Sequence, residues 1–206
     1  MPVCPMFPLE SVLVPGMVLP LQVFEDRYRQ LVKDCLAGDE EFGVVLIERG
    51  SEVGGNDQRS DFGTVARIAR SAELEDGRWA VVAVGVRRIR VVQWLDDAPY
   101  PRAHVEDWPD DEVPGDQIAA TYEAGVGALR QVLAMAAELG ESAAPSTVEL
   151  SDDPHLGSHQ LAALAPIGPL DRQQLLGAPD AGARLALLGR LLADEATVLR
   201  ARLSAG

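Results

Sequence analysis

The sequence predicts an α+β protein, with a β-rich lobe over residues 1–115 and an α-helical lobe over residues 116–206. Two observations carry this. In the first half, apolar residues come in short runs rich in Val and Ile, broken by Pro and Gly. In the second half they recur at helical spacing within Ala- and Leu-rich stretches. Between the two lies WPDDEVPGD (108–116), with two prolines, a glycine and four acids. Strands followed by helices, rather than alternating with them, argue against a parallel doubly wound sheet.

The elements follow in order. Residues 6–14 (MFPLESVLV) and 18–24 (VLPLQVF) are apolar runs that read as strands, separated by the Pro15-Gly16 turn signal. Pro20 places the second run at a sheet edge or a bend, because proline cannot donate to a central ladder. Residues 25–37 carry Tyr28, Leu31, Val32, Cys35 and Leu36 at amphipathic helical spacing after Phe24. Glu25 and Asp26 suit the first turn of that helix, and Gly38 suits its end. Residues 43–48 form a compact apolar strand, and residues 50–61 (GSEVGGNDQRSD) read as an exposed loop. Residues 62–74 and 79–95 read as longer strands, and Gly85 in the second marks a bulge or sharp bend. Residues 100–108 supply one more strand.

In the second lobe, residues 117–139 predict a helix through Ile118, Tyr122, Val126, Leu129 and Leu133. Residues 140–153 read as a loop. Ser151, Asp152 and Asp153 can cap a short helix that begins near Pro154. Asp171 can cap another over 172–177, and 180–203 predicts the longest apolar stripe, with Leu185, Leu188, Leu192 and Leu199.

Charge narrows the function. The net charge is −14, with 18 Lys and Arg against 32 Asp and Glu. Both halves are acidic, so no nucleic-acid or anionic-membrane partner is expected. The N-terminus has no basic region ahead of an apolar run, and no stretch approaches the roughly 18 uninterrupted apolar residues of a membrane helix. A cytoplasmic location is the default expectation.

Motifs for chemistry are missing. The one lysine, Lys33, is followed by Asp34, so it does not end a phosphate-binding P-loop. Gly125 and Gly127 share a GxG spacing but sit in a helical stretch with no preceding strand. Neither cysteine, Cys4 or Cys35, belongs to a CxxC pair. No GxSxG elbow accompanies the histidines. His155 and His159 are four residues apart, which would put both imidazoles on one helix face; helix capping and surface placement explain them better than a metal does. Arg87, Arg88 and Arg90 form the one basic cluster, which reads as a set of partners for the abundant acids. No cofactor, metal or catalytic residue is expected.

The stretch PMFPLESVLVPGMVLPLQVFEDRYRQLV (5–32) closely resembles the opening of the Lon N-terminal, or Lon substrate-binding, domain. There a strand leads through a PG turn into an LPL-x-x-F-E-x-R-Y segment and a helix. The matching positions are Phe7, Pro8, Leu9, Val12, Val14, Pro15, Gly16, Leu19, Pro20, Leu21, Phe24, Glu25, Arg27 and Tyr28. Val14 stands where the family usually has an aromatic. FGVVLI (42–47), EVG (52–54), GTVARI (63–68), DGR (76–78), GVRRIRV (85–91), PYPRAHVE (99–106) and the stretch from 152 to 199 look similar to later parts of that domain.

The resemblance implies a PUA-like, six-stranded pseudo-barrel with one inserted helix, followed by a C-terminal α-helical bundle. It implies a stand-alone bacterial member without ATPase or peptidase modules. Its work would be non-catalytic binding of unfolded or damaged polypeptide, with a protease or chaperone as a further partner. An RNA-binding PUA-like module and a stand-alone hydrolase are the alternatives. The exposed-turn residues Pro15, Gly16 and Met17 are the candidate polypeptide-binding positions.

Overall fold

A computed structural model describes residues 3–50, 58–141 and 144–205. Contacts divide the chain into two units, Met1–Pro109 and Asp110–Gly206.

The first unit runs β1 (Val3–Leu9), β2 (Val18–Val23), α1 (Asp26–Leu36), β3 (Glu41–Arg49), β4 (Gln58–Glu73), β5 (Trp79–Leu95) and β6 (Arg102–Asp107). The strand order is β2-β5-β4-β3-β1-β6, and β5 also pairs with β6. Five strands therefore close on themselves, and β2 pairs with the first part of β5, on the edge whose last part takes β6. β1 and β3 are parallel; every other pairing is antiparallel.

The length of β5 makes this possible. Its first part, Trp79–Val84, pairs with β2, and its last part, Ile89–Leu95, pairs with β6. The register against β4 slips between the two parts, with Gly85 opposite Ala66 and Arg87 opposite Val65. Gly85 is needed there because a Cβ would lie 2.4 Å from the Val14 carbonyl oxygen. Strand pleating sends alternate residues into two apolar clusters. Phe7, Val44 and Ala66 pack with Tyr28, Leu31, Val32 and Cys35 of α1. Met6, Val45, Val65 and Ile89 pack with Ala103 and Val105.

In this unit two expectations are corrected. The strand expected over 6–14 ends at Leu9. Val12, Leu13 and Val14 are buried all the same. Two of their carbonyls bond outside the ladder: Leu13 accepts from the buried Thr64 hydroxyl at 2.7 Å, and Val14 accepts from the Met17 N–H at 3.1 Å. The loop expected over 50–61 is strand from Gln58 onward, because Gln58 and Arg59 pair with Arg49 and Ile47 across register shifts. Residues 51–57, including the EVG segment, lie outside the described residues.

The second unit holds α2 (Gly115–Glu138), α3 (Pro154–Leu164), α4 (Pro169–Leu176) and α5 (Ala181–Ala205). Asp153 caps α3 by accepting from the His155 N–H at 3.0 Å, and Pro154 occupies the first position. Asp171 was expected to cap α4; instead the helix starts at Pro169, and Asp171 falls in its first turn. Arg184 of α5 is fully buried and holds the segment before α2. Its two terminal nitrogens donate to the two Asp110 carboxylate oxygens at 2.8 Å each, one of them also to Ser158 Oγ at 2.9 Å, and its Nε to the Leu175 carbonyl at 3.2 Å.

Candidate functional site

Strand closure leaves β2 as the described strand that pairs along one side only, through β5. Gly85 donates to the Met17 carbonyl at 2.9 Å, which turns Met17 toward β5. By alternation Leu19, Leu21 and Val23 also direct their backbone polar groups to β5, while Val18, Pro20 and Gln22 direct theirs outward. Pro20 has no N–H, so the free edge offers donors at Val18 and Gln22 but none between them. Proline at such an edge position costs no ladder bond.

Side chains of this three-stranded region sort by face. Leu19, Val23, Ile68, Val81 and Ala83 are buried in the core shared with α1. The other face carries rows set by register: Val18 beside Val84, Pro20 beside Val82 and Arg70, Gln22 beside Ala80 and Ala72. Val18 is 55% exposed, Val82 36% and, just past the strand, Phe24 57%. An open groove of about 650 Å³ crosses this face, lined by Pro20, Leu21, Gln22, Val82, Ala80, Ala72 and Arg70 among others. A smaller cavity of about 80 Å³ lies at the β2 edge among Phe7, Leu9, Leu21, Val23, Phe24 and Tyr28. Phe7 and Tyr28 stack there with centroids 4.1 Å apart. Glu25 borders the cavity and accepts from Arg27 Nε at 3.1 Å, while the Arg27 guanidinium lies over Tyr28.

Pro15, Gly16 and Met17 form the tight turn ahead of β2. Gly16 has φ 81°, and its N–H donates to the Gly85 carbonyl at 2.8 Å. The turn's backbone is thus tied to β5; Gly16 is exposed, and Pro15 and Met17 are half-buried. Sequence reasoning stopped at the turn and did not single out Pro20 and Val82 as one exposed row, with Phe24 just past the strand. Pro20, which marked an edge strand, was the available signal.

The other residues considered for chemistry are held in structural contacts. Arg87 donates to Glu41 at 2.7 Å and to Asp107 at 2.8 Å, and Arg67 also donates to Glu41. Burial alone would raise the Glu41 carboxyl, but these two arginines hold it below its usual range. Arg88 and Arg90 lie 4.3 and 4.0 Å from the Trp108 ring centre. Lys33 faces Glu73 at 3.7 Å. His155 sits in the first turn of α3, and His159 lies 3.8 Å from Asp110. Among the described residues, no three His, Cys, Asp or Glu side chains are grouped to hold a metal ion. Burial pushes the Cys4 thiol up to about 11 and the Cys35 thiol up to about 12, so both stay protonated and poorly nucleophilic at neutral pH. Burial, with the Asp34 carboxylate accepting its hydroxyl hydrogen at 2.7 Å, raises Tyr100 as well. No described helix is long and apolar enough to cross a membrane.

Residues 3–194 match the family model for the ATP-dependent protease La (LON) substrate-binding domain. Lon protease 2 of Myxococcus xanthus is 30% identical over 203 residues, covering 96% of this chain and 24% of that protein. The Lon protease of Anaeromyxobacter dehalogenans is 28% identical over 201 residues, with 96% and 24% covered. The chain thus spans about a quarter of the length of these relatives. Among solved structures, a Lon N-terminal domain protein from Xanthomonas campestris aligns with a TM-score of 0.64 and 31% identity, covering 94% of this chain and 98% of that one. The N-terminal domain of a Mycobacterium avium complex Lon protease shares the fold at a TM-score of 0.68 and 21% identity, covering 95% and 98%. Motif, fold and coverage agree, and the chain belongs to the LON substrate-binding domain family.

Proposed function

We propose that this chain is a non-catalytic polypeptide-binding module, and that unfolded segments lie on the outer face of the β2-β5-β4 region beside Phe24. One observation carries the reading: in a family described by substrate binding, the strand with a free edge carries exposed Val18 and Pro20, its neighbour β5 carries Val82 and Ala80 beside them, and Phe24 stands exposed just past the strand. Contiguous exposed apolar surface of this kind marks an interaction site. In this reading the Pro15-Gly16-Met17 turn forms one end of the surface and fixes where β2 begins. The closed strand pairing supports a PUA-like pseudo-barrel for the first unit, and α2 to α5 support a helical bundle for the second. A cytoplasmic setting, a cooperating protease or chaperone and the absence of a nucleic-acid partner belong to the same reading.

Binding of a permanently unfolded, labelled protein, followed by fluorescence anisotropy without nucleotide, tests it. A saturable complex with a Kd in the micromolar range, roughly −8 kcal/mol, is expected for a promiscuous apolar site. The folded form of the same client should not compete. An unfolded client that stays free at every concentration of this protein overturns the proposal.

A further inference from the structure

Resting on that reading, we infer that clients bind as an added strand along the free edge of β2, and that the adjoining cavity takes one branched aliphatic side chain in preference to an aromatic one. The edge supplies the main-chain half of the argument. Val18 and Gln22 turn an N–H outward, and Val18, Pro20 and Gln22 each turn a carbonyl outward. An extended segment can use these without regard to its sequence.

The face alternation supplies the other half. Leu21 and Val23 share one face of β2 and both line the cavity. A client residue level with either of them shares that face and enters the cavity. Its two neighbours point to the opposite face, with Pro20 and Gln22. The cavity therefore reads one residue in an otherwise unread strand.

Size decides which residue. The cavity holds about 80 Å³. An engineered apolar cavity of about 150 Å³ admits benzene, so a cavity near half that volume suits an isopropyl or isobutyl group and is too small for a ring. Its floor does not yield easily, because Phe7 and Tyr28 are buried and stacked on each other. Leu21, half-buried on the edge strand itself, is the lining residue whose truncation enlarges the cavity at least cost to the core.

The test uses a labelled, extended host peptide with Ala, Val, Leu, Phe or Trp at one central position, measured by anisotropy against the wild type and Leu21→Ala. For the wild type, the Val and Leu peptides should bind about fivefold or more tighter than the Ala, Phe and Trp peptides. Leu21→Ala should reverse the order of Leu and Phe. A Phe or Trp peptide that binds the wild type as tightly as the Leu peptide overturns the inference. So does an unchanged ranking in a folded Leu21→Ala protein. If all five peptides bind equally and the unfolded client still binds, this inference fails while the binding function stands. If neither the peptides nor the unfolded client bind, both fail.

Discussion

Removing the Phe24 ring should weaken client binding without unsettling the fold. Phe24 is 57% exposed and lies between the end of β2 and the start of α1. Full burial of a phenylalanine side chain contributes up to about 3 kcal/mol. A client that covers the exposed part, rather more than half, gains about 1 to 1.5 kcal/mol from it, or roughly five- to fifteenfold in Kd. Phe24→Ser should lose that factor. Val198, 52% exposed on α5, is the control, because Val198→Ser removes exposed apolar surface from the other unit. Both variants should keep the wild-type melting temperature, since neither side chain is in a core cluster. The assay is anisotropy with the unfolded client, with thermal unfolding followed in parallel. If Phe24→Ser binds as tightly as the wild type, or if Val198→Ser loses as much, the client does not sit where the exposed rows of β2 and β5 place it.

Further predictions concern stability in each unit. Gly85→Ala puts a Cβ 2.4 Å from the Val14 carbonyl oxygen and 3.1 Å from Thr64 Cγ2. Backbone must move, so a loss of about 1 to 3 kcal/mol is expected in urea unfolding. Gly127→Ala, inside α2 with nothing within 4 Å, should instead gain about 0.5 to 1 kcal/mol. In the second unit, Arg184→Ala leaves the Asp110 carboxylate without its bidentate partner and should cost about 3 kcal/mol or more. Arg184→Met combined with Asp110→Asn should recover most of that loss, as read from chemical denaturation.

Much of the fold was legible because local and tertiary preferences agree. The 25–37 stripe became α1 because its apolar residues recur at the spacing that faces the sheet, and Tyr28, Leu31, Val32 and Cys35 are the buried ones. Residues 79–95 became one long strand because β-branched residues fill it, and Gly85 marked where a second segment of backbone comes close. The misreading over 6–14 has a physical cause. Val12, Leu13 and Val14 are as buried as strand residues, but the Leu13 carbonyl bonds to the Thr64 side chain and the Val14 carbonyl to a turn, which no periodicity reports. The Gln58 end of β4 was missed for a related reason. Polar residues there pair with an irregular stretch of β3 across two register shifts, so alternation breaks down.

The binding surface was less legible than the fold, because it depends on which strand lacks a neighbour. Pro20 marked an edge, yet nothing in the chain order reveals that β5 would accept β2, β4 and β6 and so close the remaining strands on themselves. Closure is what makes the edge informative. A free edge beside exposed apolar rows is a template for self-association, and proteins generally blunt it. Here Pro20 removes the middle donor of that edge, and a net charge of −14 sets copies of the chain against one another. Those features oppose pairing between two copies more than pairing with an unfolded segment of opposite charge. On the proposed function, the edge remains open because self-association is discouraged by charge and by one missing N–H rather than by a covering strand. Clients rich in Lys and Arg should therefore be held more tightly than acidic ones of equal hydrophobicity, with the difference shrinking as salt is raised.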